Sequence, residues 1–323
     1  MELKEIQAPV SEHLRLFEPY FDKQLQSPNT LLTLATRHIF RKRGKRMRPL
    51  LVFLAAQASG GVVDASYAAA FLIELLHNAS LVHDDVVDET YSRRSQWSLF
   101  GLFGNKVAVL VGDFFLARGM EMALDGGHIE TLRIVSRAVR DLADGELSQM
   151  EHARKMDITE DAYFAVIRRK TATLIEACTR AGAASAGAAP EVVEALAAYG
   201  NHLGLAFQIR DDMFDYTPGG LFGKPALNDV KEQKLTLPLI AALRQAPEAE
   251  RRALLKMIRR DPKDDATARA ALAMVEGHGG MDYARVKMQE LAAAAIADLA
   301  ILPDSPAKRS LVALVEYNMG RTV

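Results

Sequence analysis

Cysteine occurs once in the 323 residues, as Cys178, so no intrachain disulfide can form and nothing in the cysteine usage asks for an oxidising compartment. That thiol reads as a small core residue rather than a nucleophile. Surplus charge is missing too. Forty Lys and Arg stand against 41 Asp and Glu, which excludes the basic excess of a general nucleic-acid surface. No stretch reaches the roughly 18–20 uninterrupted apolar residues of a membrane span; the longest uncharged run, Pro49 to Val63, is broken by Gly60-Gly61. Met1 to Glu5 lack the charged-then-apolar pattern of a signal peptide, so a cytoplasmic chain is expected. A series of alternating strands is absent, as is any Pro/Ser-rich spacer. A single domain over residues 1–323 is therefore expected, and 49% hydrophobic content is ample for its core.

What is present is helical periodicity. It predicts helices over 3–26, 30–42 and 49–59, then a long helix capped by Asp64. A loop at Gly101–Asn105 precedes helices over 106–123 and 129–152. Asp157-Ile158-Thr159-Glu160 looks like a capping box opening a helix to about Ala181. Pro190, a first-turn proline, starts another. Helices resume over 229–245 and continue with breaks near Pro247, Asp261-Pro262 and Gly277–Gly280. The fold class is all-α, one large helical bundle. Residues 245–323 read only as helix packing, and Arg321 either as a frayed terminus or as a side chain reaching a diphosphate.

Two acidic clusters end long apolar runs: Asp84-Asp85-Val86-Val87-Asp88 and Asp211-Asp212-Met213-Phe214-Asp215. Helical residues i and i+4 share a face, so Asp84 pairs with Asp88 and Asp211 with Asp215. Carboxylates crowded on helices suited to burial repel one another and are costly to desolvate. One such cluster is equally a solvated helix end. Two with matching spacing ask for hard cations, and Mg²⁺ held by one or two carboxylates takes its other ligands from water and substrate phosphate. The pattern points to a diphosphate held by divalent metal between acidic helices.

Cations lie near by in sequence. Residues 37–48 carry seven Lys and Arg, ending Gly44-Lys45-Arg46-Met47-Arg48-Pro49. A turn opening a helix with such side chains suits an anion. Arg93-Arg94 follows the first cluster and completes a phosphate clamp. His77 lies two turns before Asp84 and reads either as structural or as a contact. Lys170-Thr171 interrupts an apolar helix, where a lysine needs a partner. Gln208 shares the stripe of Asp211. Gly219-Gly220-Leu221-Phe222-Gly223-Lys224 fails as a P-loop, because Pro225 stands where Ser or Thr should bind Mg²⁺, yet it can deliver Lys224 as a lid. Asp229 and Lys234 continue the same balance.

In order, Gly-Lys-Arg-x-Arg-Pro, His-Asp-Asp-x-x-Asp with Arg-Arg, Lys-Thr, Gln-x-x-Asp-Asp-x-x-Asp, Gly-Lys-Pro and Lys-x-Thr-Leu-Pro-Leu resemble the trans-prenyl diphosphate synthases over roughly residues 40–240. The resemblance is closest to the long-chain, octaprenyl branch. It implies a helical bundle around a central cavity, a homodimer, about three Mg²⁺ ions and elongation of an allylic diphosphate by isopentenyl diphosphate. By matching position it puts Lys45, Arg48, His77 and Arg94 on the isopentenyl diphosphate. Arg93, Lys170, Thr171, Gln208, Lys224 and Lys234 fall on the allylic diphosphate. Asp84, Asp88 and Asp211 become the main metal ligands, supported by Asp85, Asp212 and Asp215. Arg43 replaces a family glycine, and Leu227 stands where the family often has glycine before Asn228-Asp229, so the local loop geometry is expected to differ there while every charged group of the motifs is kept.

The chemistry expected is cleavage of an allylic C–O bond, attack by the isopentenyl double bond and proton loss to the departing pyrophosphate. Fixed cations and metals stabilise the leaving group, and an apolar cavity keeps water from the carbocation. Short-chain members resembling this chain plug the cavity with aromatics near Ala79. Ala79 lies about 7–8 Å before Asp84 along the helix, beside Ser80, and these small residues imply an open tunnel towards Met120 and Met122 and a product of about C40. Such a product suits a quinone side-chain precursor, with a transient membrane contact for release. Alternatives are a C15–C20 synthase, a terpene cyclase, which lacks a second Asp-Asp-x-x-Asp, and a non-catalytic subunit, which would be expected to lose its acidic motifs.

Overall fold

A computed structural model of the chain describes residues 2–41, 44–93, 96–157, 159–217 and 227–320. Helices dominate: α1 (Leu3–Gln7), α2 (Ser11–Gln24), α3 (Thr30–Phe40), α4 (Met47–Ser59), α5 (Asp64–Val87), α6 (Leu99–Asp125), α7 (Ile129–Lys155), α8 (Glu160–Ile167), α9 (Thr173–Ser185), α10 (Pro190–Asp215), α11 (Asn228–Lys231), α12 (Leu237–Gln245), α13 (Glu248–Arg260), α14 (Asp265–Gly277), α15 (Gly280–Asp298) and α16 (Pro306–Met319). Strands β1 (Ser92–Arg93) and β2 (Gln96–Trp97) form a small antiparallel pair with Arg93 opposite Gln96.

The chain folds as two compact units. Residues 1–139, 177–197 and 301–311 form the first. In it α5 packs along α6 and against α4. Phe17, Phe21, Phe53 and Phe71 are fully buried, and their rings interlock with those of Tyr20 and Tyr67. Each such aromatic removes a large apolar area from water, so this cluster anchors α2 to the two helices below it. The chain enters α4 through Arg46, in the left-handed region at φ 49°. That turn sends its guanidinium inward to Glu18 at 3.0 Å and Glu74 at 2.7 Å.

Residues 140–176, 198–300 and 312–323 form the second unit. Its core joins Ile209 and Met213 of α10 to Leu237 and Leu239 of α12, Ile258 of α13, Val275 of α14 and Ala284 of α15. Between α8 and α9, residues Arg168–Ala172 form a π-helical turn. Two glycines make room for it. A methyl at Gly145 would lie 2.8 Å from the Lys170 nitrogen, and one at Gly204 only 2.6 Å from the Ala172 Cα.

The helix expected from the Asp157–Glu160 segment to Ala181 is thus interrupted by a π turn, and its cap is Thr159, whose Oγ1 accepts from the Ala162 N–H. Asp64 is the first helical residue, with Val63 as the cap. The loop expected at Gly101–Asn105 contracts to a kink at Gly104 inside α6. The helix expected over 229–245 divides into α11 and α12. The Gly219–Pro225 lid lies outside the described residues.

A methyl on Gly204 would press against the Ala172 Cα, which no rotamer change relieves. Gly204→Ala is expected to cost about 1–3 kcal/mol, read as a lower urea midpoint at unchanged slope.

Candidate active site

Each charged motif sits at the end of a helix whose dipole carries the same sign. In the first unit, Asp84 and Asp85 lie in the last turn of α5 and Asp88 is its C-cap, with no basic residue in that turn. The C-terminal end of a helix is itself negative, so every carboxylate there is disfavoured by about 0.3–1 kcal/mol. Asp85 is buried, Asp84 half-buried and Asp88 exposed. The neighbouring His83 is seated in a notch at Gly112 of α6, where a methyl would come within 2.2 Å of its Nε2. There Nε2 lies 3.2 Å from the Val109 carbonyl oxygen and 3.5 Å from Asp113 Oδ1. This contact locks the turn that presents Asp84.

The opposite mismatch occurs at α4. Lys45 is exposed just before its N-terminus and Arg48 half-buried in its first turn, with no acidic residue in that turn. Cations at the positive end of a dipole, beside unpaired backbone N–H groups, make an anion site. Arg48 also acts on the buried Cys178 thiol, which burial pushes up to about 12, with Arg48 opposing and Glu74 adding to the rise. The structure therefore divides the basic motif: Arg46 is an internal ion-pair partner, whereas Lys45 and Arg48 stay at the helix mouth.

In the second unit, α10 ends at Asp215, again with no basic residue in its last turn. Its three carboxylates have different surroundings. Asp211 keeps 41% of its side chain exposed. Asp212 is buried, accepting from Tyr163 Oη at 2.6 Å and Gln208 Nε2 at 2.7 Å. Burial pushes its acid group up to about 7, while the two hydrogen bonds pull it down and Asp211 and Asp215 push it further up. Asp215 accepts the backbone N–H groups of Asn228 and Asp229, both at 3.0 Å, and so caps α11. Asp229 is raised well above the usual carboxylate range by burial, then by Asp212 and Asp215, with Lys234 opposing.

A polar cavity of about 110 Å³ collects several expected substrate contacts: Lys170, Gln208 and Lys234 line it with Asp212, Asp229 and Tyr163. Lys170 Nζ donates to Gln149 Oε1 at 2.6 Å and pairs with Glu146 at 2.7 Å. Thr171 Oγ1 donates to Gln208 Oε1 at 2.6 Å, so Thr171, Gln208, Asp212 and Tyr163 form one hydrogen-bonded chain. Lys234 pairs with Glu232. His77 is half-buried on α5, two turns above Asp84. Arg93 is in β1, while Arg94 and Lys224 lie outside the described residues.

Of the residues expected to set a tunnel, Ala79 is wholly buried and Met122 nearly so, whereas Ser80 keeps accessible surface. Ser80 rather than Ala79 therefore borders open space. Met122 lines a separate polar recess with Tyr20, Arg118 and His128, and Met120 is exposed. Sequence reading missed Tyr163, Glu146, Gln149 and Arg210. Glu146 and Gln149, three apart on an amphipathic helix, were the detectable signal.

The donor set fits a hard divalent cation. Asp84 and Asp88 stand one turn apart, with Asp211 accessible at its own helix end, and all offer carboxylate oxygen. Among the described residues no three Asp, Glu, His or Cys side chains converge tightly enough to hold an ion alone. An ion bound at either helix end would take further ligands from water or phosphate oxygen.

A family model described as polyprenyl synthetase matches residues 29–275. The chain is 36% identical over 322 residues to the all-trans-nonaprenyl-diphosphate synthase (geranyl-diphosphate specific) of Rhodobacter capsulatus, covering 98% of each chain. It is 36% identical over 300 residues to the octaprenyl diphosphate synthase of Escherichia coli, covering 93% of each. Among solved structures, a polyprenyl synthase from Caulobacter crescentus complexed with calcium and isoprenyl diphosphate superposes with a TM-score of 0.89 at 32% identity, covering 99% of this chain and 98% of that one.

The Asp212 environment has a pH consequence. Its folded-state group titrates at about 7 against 3.8 for the free side chain, so the unfolded chain releases that proton first as pH rises. The protonated Asp212 contributes its stability below the unfolded value, and this is lost as pH climbs towards about 7. In metal-free buffer, Asp212→Asn is expected to flatten the fall in urea-unfolding free energy between those two values.

Proposed function

The chain belongs to the polyprenyl synthetase family, and from that premise we propose that it extends an allylic diphosphate, farnesyl diphosphate first, with successive isopentenyl diphosphates to a long all-trans chain of octaprenyl length. The family's trans-prenyltransferase activity, its all-α isoprenoid synthase fold, its allylic and isopentenyl diphosphate substrates and its general Mg²⁺ dependence come with membership. The observation that carries the reading is the charge placed against the dipole at three helix ends, cationic at α4 and anionic at α5 and α10. An anionic substrate relieves the first, and cations relieve the other two.

In this reading Lys45, Arg48, His77 and Arg94 hold isopentenyl diphosphate. Arg93, Lys170, Thr171, Gln208, Lys224 and Lys234 hold the allylic diphosphate. Asp84, Asp88 and Asp211 would hold Mg²⁺, about three ions, which supplies the positive charge that draws off pyrophosphate. Asp85, Asp212 and Asp215 keep their helix ends in shape. Lys170, steered by Glu146 and Gln149, stabilises the leaving group's growing charge. The isopentenyl double bond then attacks the allylic carbon, and the pyrophosphate takes the proton. The chain is read as one polyprenyl synthase domain acting in the cytoplasm. Its product is a quinone side-chain precursor, passed to the bilayer by transient contact.

Long-chain relatives and the small, accessible Ser80 support the length. The test is incorporation of labelled isopentenyl diphosphate by purified protein with Mg²⁺, using farnesyl and, in view of the nonaprenyl relative's name, geranyl diphosphate. A dominant octaprenyl product is expected; products stopping at C15–C20 overturn the length, and no incorporation favours a non-catalytic subunit. Asp84→Asn is expected to lower turnover by about 10²–10³-fold. Ser80→Phe is expected to shorten the product at retained activity. Ala79→Tyr should shorten it too, at about 1–3 kcal/mol of stability from overpacking.

A homodimer fits α6. Helices α5 and α6 are both long and apolar enough to cross a membrane by length and composition, but α5 buries 67% of its most apolar window and α6 only 28%. Leu110 and Leu124 are 66% and 57% exposed on α6, near Val109 and Met120. A second copy offers an equally apolar face under twofold symmetry. Leu110→Asp is expected to shift the sedimenting species from dimer to monomer.

A further inference from the structure

The end of the chain has no part in the chemistry described so far, yet it reaches the second acidic cluster. Arg210 precedes Asp211 on α10 and is only 4% exposed. Its guanidinium lies over the ring of Phe207 at 4.7 Å and that of Phe214 at 5.5 Å. Nε and Nη2 both donate to Asp211 Oδ1, at 3.2 and 2.6 Å. Nη1 turns to α16 and donates to the backbone oxygen of Asn318 at 3.0 Å and its Oδ1 at 2.5 Å. Asn318 is buried as well.

Successive residues on a helix do not face each other, so an Arg210–Asp211 pair is not something α10 forms by itself. The guanidinium has to be turned back along the helix and kept there. The two phenylalanine rings fix its plane, and Asn318 satisfies the edge that points away from Asp211. Lysine could not do this, because the arrangement uses several N–H groups of one rigid fork towards two partners. A buried guanidinium is tolerable only when so completely paired.

We infer that Arg210 and Asn318 are positioning residues for the second acidic cluster: Asn318 orients the Arg210 guanidinium, which holds the Asp211 carboxylate in one orientation for a divalent cation. The inference rests on the reading of Asp211 as a metal ligand. It gives α16 a task, as the distant anchor of a brace that ends at the metal-facing carboxylate. Residues that orient a ligand in this way typically govern metal affinity by about 10–100-fold.

The test compares Asn318→Ala, Arg210→Lys and Asp211→Asn with the parent protein. Two quantities are read: the Mg²⁺ concentration for half-maximal turnover, and the rise in melting temperature on adding Mg²⁺ with inorganic pyrophosphate. Asn318→Ala and Arg210→Lys are expected to raise the Mg²⁺ requirement about tenfold and to shrink the melting shift, with the KM for isopentenyl diphosphate within about twofold. Asn318→Asp, which keeps the acceptor oxygen, is expected to restore both. A merely structural brace would lower the melting temperature without ligand and leave the Mg²⁺ requirement in place, which overturns the inference. Should Asp211→Asn raise the requirement while neither Asn318→Ala nor Arg210→Lys does, the inference fails and the ligand reading stands. Should Asp211→Asn leave it unchanged, both fall.

Discussion

Fixed charge set against a helix dipole is the constraint on which the rest of this structure depends. Lys45 and Arg48 crowd the positive end of α4, and two sets of three carboxylates crowd the negative ends of α5 and α10. Against the dipole alone, each such charge costs about 0.3–1 kcal/mol. The chain tolerates them because the same helices are buried elsewhere. Residues Ala68 to Leu76 of α5 are inaccessible or nearly so, as are Ile209 and Met213 on α10. Apolar burial upstream holds each helix end in place and so offsets the cost of the charges set there.

The six carboxylates of the two motifs do different work. Adjacent helical residues point about 100° apart, so when the first Asp of a pair faces outwards the second turns towards the core. Asp85 and Asp212 are buried accordingly, and Asp212 shows how such a group is kept: Tyr163 and Gln208 each donate one hydrogen bond. Asp215 is turned to a third use, as the cap of α11. Helical geometry alone thus separates the second motif into an accessible carboxylate, Asp211, a buried support, Asp212, and a local brace, Asp215.

Much of this was legible in sequence. The helices expected over 30–42, 49–59 and 129–152 lie within three residues of the observed α3, α4 and α7, because the pattern and the Gly and Pro stops are local, whereas the one expected over 3–26 divides at a 3-10 turn over Ala8–Val10. The π turn was not, since it depends on space left by Gly145 and Gly204 on two other helices. The acidic motifs were legible through their repeated spacing, and Lys170 through the cost of a lysine in an apolar run. Tyr163 and Arg210 were not, because each gains meaning from a partner far along the chain, Asp212 for the one and Asn318 for the other. Leu227 is the instructive middle case. The family's glycine at this place marked it as unusual, and the structure supplies the reason: Leu227 sits in the left-handed region at φ 40°, which a side chain adopts at a cost of about 1–2 kcal/mol.

That strained residue bears on the site as well. Leu227 is buried, and its N–H donates to the Asp215 carbonyl oxygen at 3.2 Å, while the Asp215 carboxylate holds the next two N–H groups. Burial of the leucine side chain offsets the backbone strain that glycine would avoid. The left-handed turn in exchange delivers the start of α11, and with it Asp229, to the cavity lined by Lys170, Gln208 and Lys234. A glycine there would satisfy the backbone more cheaply but surrender the apolar anchor. The second acidic cluster is therefore fixed from three directions: by Tyr163 on α8, by Arg210 on its own helix and by a turn whose strain the core absorbs.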